Sequence, residues 1–182
     1  MNFIKQELKD VWVIEPKVFP DERGYFMESY KKNAFEEHIG KVEFIQDNES
    51  KSSRGVLRGL HYQTGEYAQA KLVRALVGSV LDVIVDLRKS SPTFGKHLAV
   101  ELSEENKRQL FVPRGFAHGF LVLSETAIFS YKVDNVYTPS HEASILWNDT
   151  TLSIDWGMSE KELILSPKDK SGKLFAEAIL FD

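Results

Sequence analysis

The sequence predicts an all-β domain, a sandwich or barrel of antiparallel strands with only short helices. Three observations carry this. Short runs rich in Val, Ile, Leu and Phe recur along the whole chain. Gly, Pro, Asn, Asp and Ser punctuate them at regular spacing. Little of the chain has the 3.6-residue period of an amphipathic helix. With 182 residues there is enough chain for one substantial core, and with no linker-like stretch residues 1–182 are read as a single domain. A barrel of this kind encloses a pocket lined by alternate residues of each strand.

Val11 to Ile14 reads as the first strand, stopped by Pro16. Pro20-Asp21-Glu22-Arg23-Gly24 is a turn signal. The strand from Tyr25 to Tyr30 places Phe26 and Glu28 on one face by its period of two. Lys31 to Ile39 reads as a short helix that Gly40 ends. Val42 to Glu49 is extended, with Gln46 and Asn48 on a common face, and Lys51-Ser52-Ser53-Arg54-Gly55 reads as a polar loop. A strand follows through Arg58-Gly59-Leu60-His61-Tyr62-Gln63. Lys71 to Val77 and Val80 to Leu87 are strongly β-patterned, and Gly78-Ser79 between them suits a tight hairpin turn. After the break at Ser90-Ser91-Pro92, His97 to Leu102 is a strand, and Ser103-Glu104-Glu105-Asn106 reads as a capped helical turn. Phe111 to Phe120 turns through Pro113 and Gly115 into a strand ending near Leu123. Ala127 to Val133 and Ala143 to Trp147 are strands. Ser159-Glu160-Lys161-Glu162 fits a capping box, and the tail from Ser166 is turn-rich up to the apolar stretch Leu174 to Phe181.

Composition narrows the function classes. The net charge is −4, so no general nucleic-acid or membrane surface is expected. The chain has no cysteine, which excludes disulfides, thiolate metal sites and thiol nucleophiles and fits the cytoplasm. Met1 to Asp10 lacks an apolar signal core, and no apolar run approaches the length of a membrane span. Chemistry is first visible at His61, an imidazole on a short apolar strand with the guanidinium of Arg58 three residues before it. Imidazole titrates near neutral pH, which makes His61 a candidate proton-transfer group. Arg58 and His61 have opposite strand parity. A bulge at Gly59 is therefore expected if both side chains are to point inward.

Pro113-Arg114-Gly115-Phe116-Ala117-His118 matches the Pro-x-Gly-x-x-His motif of cupins. Together with Arg58 to Gln63 and Asp86-Leu87-Arg88-Lys89-Ser90-Ser91-Pro92-Thr93-Phe94-Gly95, it resembles the dTDP-4-dehydrorhamnose 3,5-epimerase family from about Val18 to Asp169. The resemblance implies a cupin-type jelly roll and a homodimer in which amino-terminal strands add to the partner's sheet. It also implies a cytoplasmic enzyme acting on a dTDP-linked keto-deoxysugar. Most cupins hold a metal with His-x-His, a later Glu and a final His. Here Tyr62-Gln63 follows His61, and His61 with His118 alone is a poor transition-metal set. No metal and no cofactor is expected.

The reaction the resemblance implies is proton exchange at carbons 3 and 5, both alpha to a ketone. It needs a base, an acid on the opposite face and an electrophile at the ketone oxygen. The resemblance assigns His61 as base and Asp169 as its carboxylate partner. From local sequence alone Asp169 is an ordinary turn residue. Asp82, on the face of Val80, Ile84 and Asp86, is a second candidate partner, because strand carboxylates seldom sit buried unpaired. Tyr131 is the candidate acid of the opposite face; the bland alternative is a barrel-wall tyrosine. Lys71 opens an apolar strand and shares parity with Val73 and Ala75. It is the candidate enolate stabiliser, with Arg58 assisting or holding phosphate. His118 is assigned a sugar contact and no acid–base role.

The resemblance assigns Arg23 and Lys168 to phosphate, and Glu28, Gln46, Asp47, Asn48 and Glu142 to the nucleotide and sugar. Phe26 and Tyr137 are candidates for stacking on the base. The chain departs from the family pattern at Thr64-Gly65-Glu66-Tyr67, where prolines are common, at Asn135-Val136, and at Ser144, where glycine is frequent. None of these removes a candidate catalytic group. Two alternatives stand beside the double epimerase: a relative acting at one carbon only, and a non-catalytic nucleotide-sugar-binding protein on the same scaffold.

Overall fold

A computed structural model describes all 182 residues. It has thirteen strands: β1 Asn2–Lys5, β2 Trp12–Glu15, β3 Val18–Asp21, β4 Gly24–Met27, β5 Gln46–Ser53, β6 Leu57–Gln63, β7 Lys71–Val77, β8 Ser79–Asp86, β9 His97–Ser103, β10 Gln109–Val112, β11 Phe116–Val122, β12 Thr126–Val133 and β13 Glu142–Ser144. The two α-helices are α1, Lys32–His38, and α2, Pro167–Lys170. Six strands form one antiparallel sheet in the order β1-β2-β10-β7-β12-β5, and five form the other in the order β13-β6-β11-β8-β9. The inner faces of the two sheets meet in a core of Val13, Val73, Ile84, Leu110, Phe120, Phe129 and their neighbours. This is a cupin-type jelly roll.

The two outer faces are covered differently. The tail lays Trp147, Leu152 and Trp156 over Leu57, Val83, Val85 and Leu121 of the five-stranded sheet. β8 is therefore buried on both sides, which is why Val80 to Leu87 reads as a near-continuous apolar run. On the six-stranded sheet, α1 seats Phe35 over Ile14, Leu72 and Phe111. Gly40, at φ +109°, ends that helix and donates its N–H to the Phe35 carbonyl at 3.2 Å.

Several elements differ from expectation for identifiable reasons. Gly78 is not a hairpin turn, because β7 and β8 lie in opposite sheets. It is a corner where the chain changes sheet. A Cβ there would come within 2.1 Å of the Thr126 carbonyl oxygen. Lys51 to Ser53 belongs to β5 rather than to a loop, and Val42 to Ile45 lies outside that strand. The inward residues of β5 are polar and give no hydrophobic alternation. β1 is a short, four-residue edge strand paired only with β2. β3 contains Pro20, tolerated because β3 and β4 form an isolated two-stranded ribbon. Ser103 to Asn106 is a hydrogen-bonded turn at the end of β9 rather than a helix.

Candidate functional site

A cavity of about 730 Å³ lies between the sheets and draws its walls from both. Strand parity decides what enters it. β11 points Phe116, His118 and Phe120 inward, and His118 stands directly opposite His61 of β6. The register between these strands slips by one residue: Arg58 to His61 in β6 spans Phe120 to His118 in β11. That extra residue is the bulge expected at Gly59, and through it Arg58 and His61 both line the cavity. Gly59 has φ +148°, and a Cβ on it would lie 2.5 Å from the Gly119 Cα, so β6 and β11 approach at a point where only glycine fits.

His61 is anchored from the far end of the chain. Its Nε2 lies 2.9 Å from Oδ1 of Asp169 and is buried with no other partner, although it is off the line of a straight hydrogen bond. The ring is about one-quarter exposed, and its Nδ1 makes no hydrogen bond within the protein. Asp169 is held by α2, where Ser166 and Asp169 form a reciprocal capping box. Ser166 donates its N–H to Oδ2 at 3.1 Å, and Gly59 donates its N–H to Oδ1 at 3.1 Å. Burial pushes the Asp169 carboxyl up, but the close approach of the His61 ring and the hydrogen bonds from Ser166 and Gly59 outweigh it and hold the group well below the usual carboxylate range. Pro167 at the first helical position and Ser-x-x-Asp spacing are sequence signals that could have found Ser166.

The opposite wall belongs to the six-stranded sheet. Tyr131, on β12, pairs with Asn48 of β5 and Val73 of β7. Its hydroxyl has no hydrogen-bond partner in the protein and is kept protonated chiefly by burial, against the pull of Arg58. Lys71, at the start of β7, lines the same cavity. Burial lowers its ammonium to about 8, opposed by Asp82 and Glu142. Arg58 donates to Ser52 Oγ at 3.1 and 3.2 Å.

His118 is buried, with Nε2 2.9 Å and 3.1 Å from the two oxygens of Asp82. Asp82 therefore partners His118 and not His61, which is the correction the register dictates: it stands opposite Phe120, on the inner face of β8. Each histidine thus directs Nε2 at a carboxylate. No group of three His, Asp or Glu side chains is disposed to hold a metal.

At the mouth, Glu142 accepts from the Tyr137 hydroxyl at 2.9 Å and pairs with Lys168. Burial raises the Glu142 carboxyl, and Lys168 and Tyr137 more than offset this. Gln63, whose role the sequence did not suggest, pins the loop carrying Tyr137 by donating to the Tyr67 and Val136 carbonyls and accepting from the Thr138 N–H. Gln46 and Asn48 point inward from β5 and bond each other at 2.7 Å.

Four candidates are not brought to the cavity of their own chain. Asp47 faces outward and pairs with Lys132 at 2.9 Å. Arg23 pairs with Asp21 on the β3–β4 turn, with a side chain 84% exposed. Phe26 is 66% exposed beside Phe19, and Glu28 pairs with Lys31 at 3.2 Å.

The sequence pattern of the family described as dTDP-4-dehydrorhamnose 3,5-epimerase matches residues 5–177. The chain is 58% identical over 182 residues to the dTDP-4-dehydrorhamnose 3,5-epimerase of Shigella flexneri, covering 100% of this chain and 99% of that protein. It superposes with TM-score 0.94 and 58% identity on the epimerase of that name from Elizabethkingia anophelis, over 97% of both chains. A dTDP-6-deoxy-D-glucose-3,5-epimerase from Legionella pneumophila, solved with dTDP-4-keto-L-rhamnose, matches with TM-score 0.93 and 49% identity over 98% of this chain and 94% of that one. The chain therefore belongs to the dTDP-4-dehydrorhamnose 3,5-epimerase family.

Proposed function

We infer that the chain is an isomerase that epimerises dTDP-4-dehydro-6-deoxy-D-glucose at carbons 3 and 5 to dTDP-4-dehydro-L-rhamnose, a step of L-rhamnose biosynthesis. The observation that carries the mechanism is that His61 and Tyr131 enter one cavity from opposite sheets. In this reading His61 removes the proton alpha to the ketone through Nδ1, while Asp169 orients the ring and stabilises its imidazolium. Tyr131, protonated at working pH, returns a proton from the other face. Lys71 places its ammonium at the developing enolate oxygen, and Arg58 adds positive charge beside it. These groups accomplish the reaction without a metal.

The mouth, with Gln46, Asn48, Tyr137, Glu142 and Lys168, receives the nucleotide end. Arg23, Phe26 and Glu28 serve it from a second copy of the chain in a homodimer. The β3–β4 ribbon presents Phe19, Tyr25 and Phe26, 47%, 53% and 66% exposed, and β5 ends its sheet with a free edge, open to an added strand. Asp47, close to this edge, belongs to the same region. No helix is long and apolar enough to cross a membrane, and the reading places the enzyme in the cytoplasm with no nucleic-acid or membrane partner.

Proton NMR of the substrate with the protein in heavy water tests this. Deuterium entering at carbons 3 and 5 is expected. Exchange at one carbon would make the chain a monoepimerase. Binding without exchange would remove the catalytic assignment.

A further inference from the structure

One buried charged group has no part in the mechanism above. Asp82 is fully buried on β8, yet it lies beneath the substrate cavity with both carboxylate oxygens directed at Nε2 of His118. A carboxylate can only accept, so this contact places a hydrogen on Nε2. The Nδ1 atom of His118 makes no hydrogen bond in the protein, and the ring lines the cavity. The protonation of Nδ1 thus sets the polarity of the cavity floor.

Groups on every neighbouring strand bear on it: Lys71 on β7, His61 and Arg58 on β6, Tyr131 on β12 and Glu142 on β13. Burial lowers the pKa of His118, and Lys71 and His61 lower it further, against Asp82. Nδ1 is then a bare lone pair.

We propose that Asp82 is a positioning residue that locks His118 in the Nε2–H tautomer, so that Nδ1 accepts a hydrogen bond from the carbon-2 hydroxyl of the substrate sugar. This rests on the functional reading above. The sugar carries two free hydroxyls, at carbons 2 and 3. The one on carbon 3 changes orientation when that carbon inverts, and a fixed acceptor cannot hold it in both states. The one on carbon 2 keeps its configuration throughout. An acceptor at the floor also leaves the ketone oxygen to Lys71, because a lone pair repels it.

The test has two arms. Nitrogen-15 NMR of the wild-type protein, with His118 assigned through a His118→Gln variant, is expected to show a neutral ring carrying its proton on Nε2. A proton on Nδ1, or on both nitrogens, overturns the proposal, and this arm needs no mutant of Asp82. The second arm uses Asp82→Asn, whose amide can donate to Nε2 and shift the proton to Nδ1. Its kcat/KM for the natural substrate is expected to fall roughly tenfold or more, since two donors then face each other. For the 2-deoxy analogue the same substitution should cost little. An equal loss with both sugars would make Asp82 merely structural and defeat the proposal. Absence of exchange by the wild type would refute the epimerase reading while leaving the tautomer measurement intact.

Discussion

At the scale of single residues, the site depends on charges kept where burial opposes them. Lys71 is the clearest instance. Its pKa falls from 10.5 in the unfolded chain to about 8 in the fold, so folding is penalised while the group is charged. The unfolded state binds more protons between about pH 8 and 10.5, and stability therefore rises with pH across that window. Lys71→Met removes the penalty, which is on the order of 3 kcal/mol at neutral pH. The variant should melt higher than wild type at pH 7, lose that advantage by about pH 10.5, and lose most of its turnover. Thermal melts across pH check the first part. In the wild type, exchange should decline above about pH 8 as the ammonium is lost, and a profile flat to pH 10 would remove Lys71 from enolate stabilisation. His61→Ala should cost roughly 10²–10⁴-fold in turnover with the fold preserved; near-normal solvent exchange would exclude it as base. The positions of these side chains were legible in the sequence for different reasons. Lys71, which lines the cavity, shows itself by strand parity, and His61 as an imidazole on a short apolar strand three residues after Arg58. Asp169 does not, because nothing local distinguishes a buried turn carboxylate from a solvated one, and its partner is 108 residues away in sequence.

Individual elements matter here mainly through their irregularities. The bulge in β6 aims Arg58 and His61 into one cavity, and it was readable from their clashing parity. Gly59→Ala tests it. The added methyl would meet the Gly119 backbone at 2.5 Å, and backbone cannot yield as a side-chain tip can. The expected destabilisation is about 1–3 kcal/mol, or very roughly 2–10 °C in Tm for a chain of this size, with a larger loss of activity than the stability change explains. A variant that melts and turns over like wild type would show the strands free to separate there. Other elements were less legible for related reasons. β5 carries Gln46, Asn48 and Ser50 inward because they line a cavity, so the apolar alternation that marks a core strand is missing. Gly78-Ser79 reads as a hairpin turn, and the structure makes it a corner between sheets instead, because nothing nearby says whether a two-strand corner stays in one sheet. Only pairing with β10 and β12 on one side, and β9 and β11 on the other, separates β7 from β8.

At the scale of the whole molecule, the argument turns on residues that the fold leaves outside. Arg23, Phe26 and Glu28 sit on or just beyond a ribbon that pairs with neither large sheet, while the cavity mouth already offers Lys168 and Tyr137. A stray charged turn would be an ordinary surface feature if the ribbon were polar throughout. This one exposes three aromatic rings, and apolar area of that kind is usually covered. A closed twofold arrangement uses the same patch on both copies, so each ribbon would complete the other copy's cavity. Two variants separate this from a cis contribution. Arg23→Ala and His61→Ala should each be nearly inactive alone, at subsaturating substrate for the first. After co-expression, mixed dimers carry both lesions in one site and none in the other. With random pairing, half the dimers are mixed and half their sites intact, so about a quarter of wild-type activity should return. If Arg23 instead reaches the cavity of its own chain, every site in the mixture keeps one lesion and no activity returns. Sedimentation supplies the independent check, since a monomer at micromolar concentration would leave the ribbon with nothing to complete.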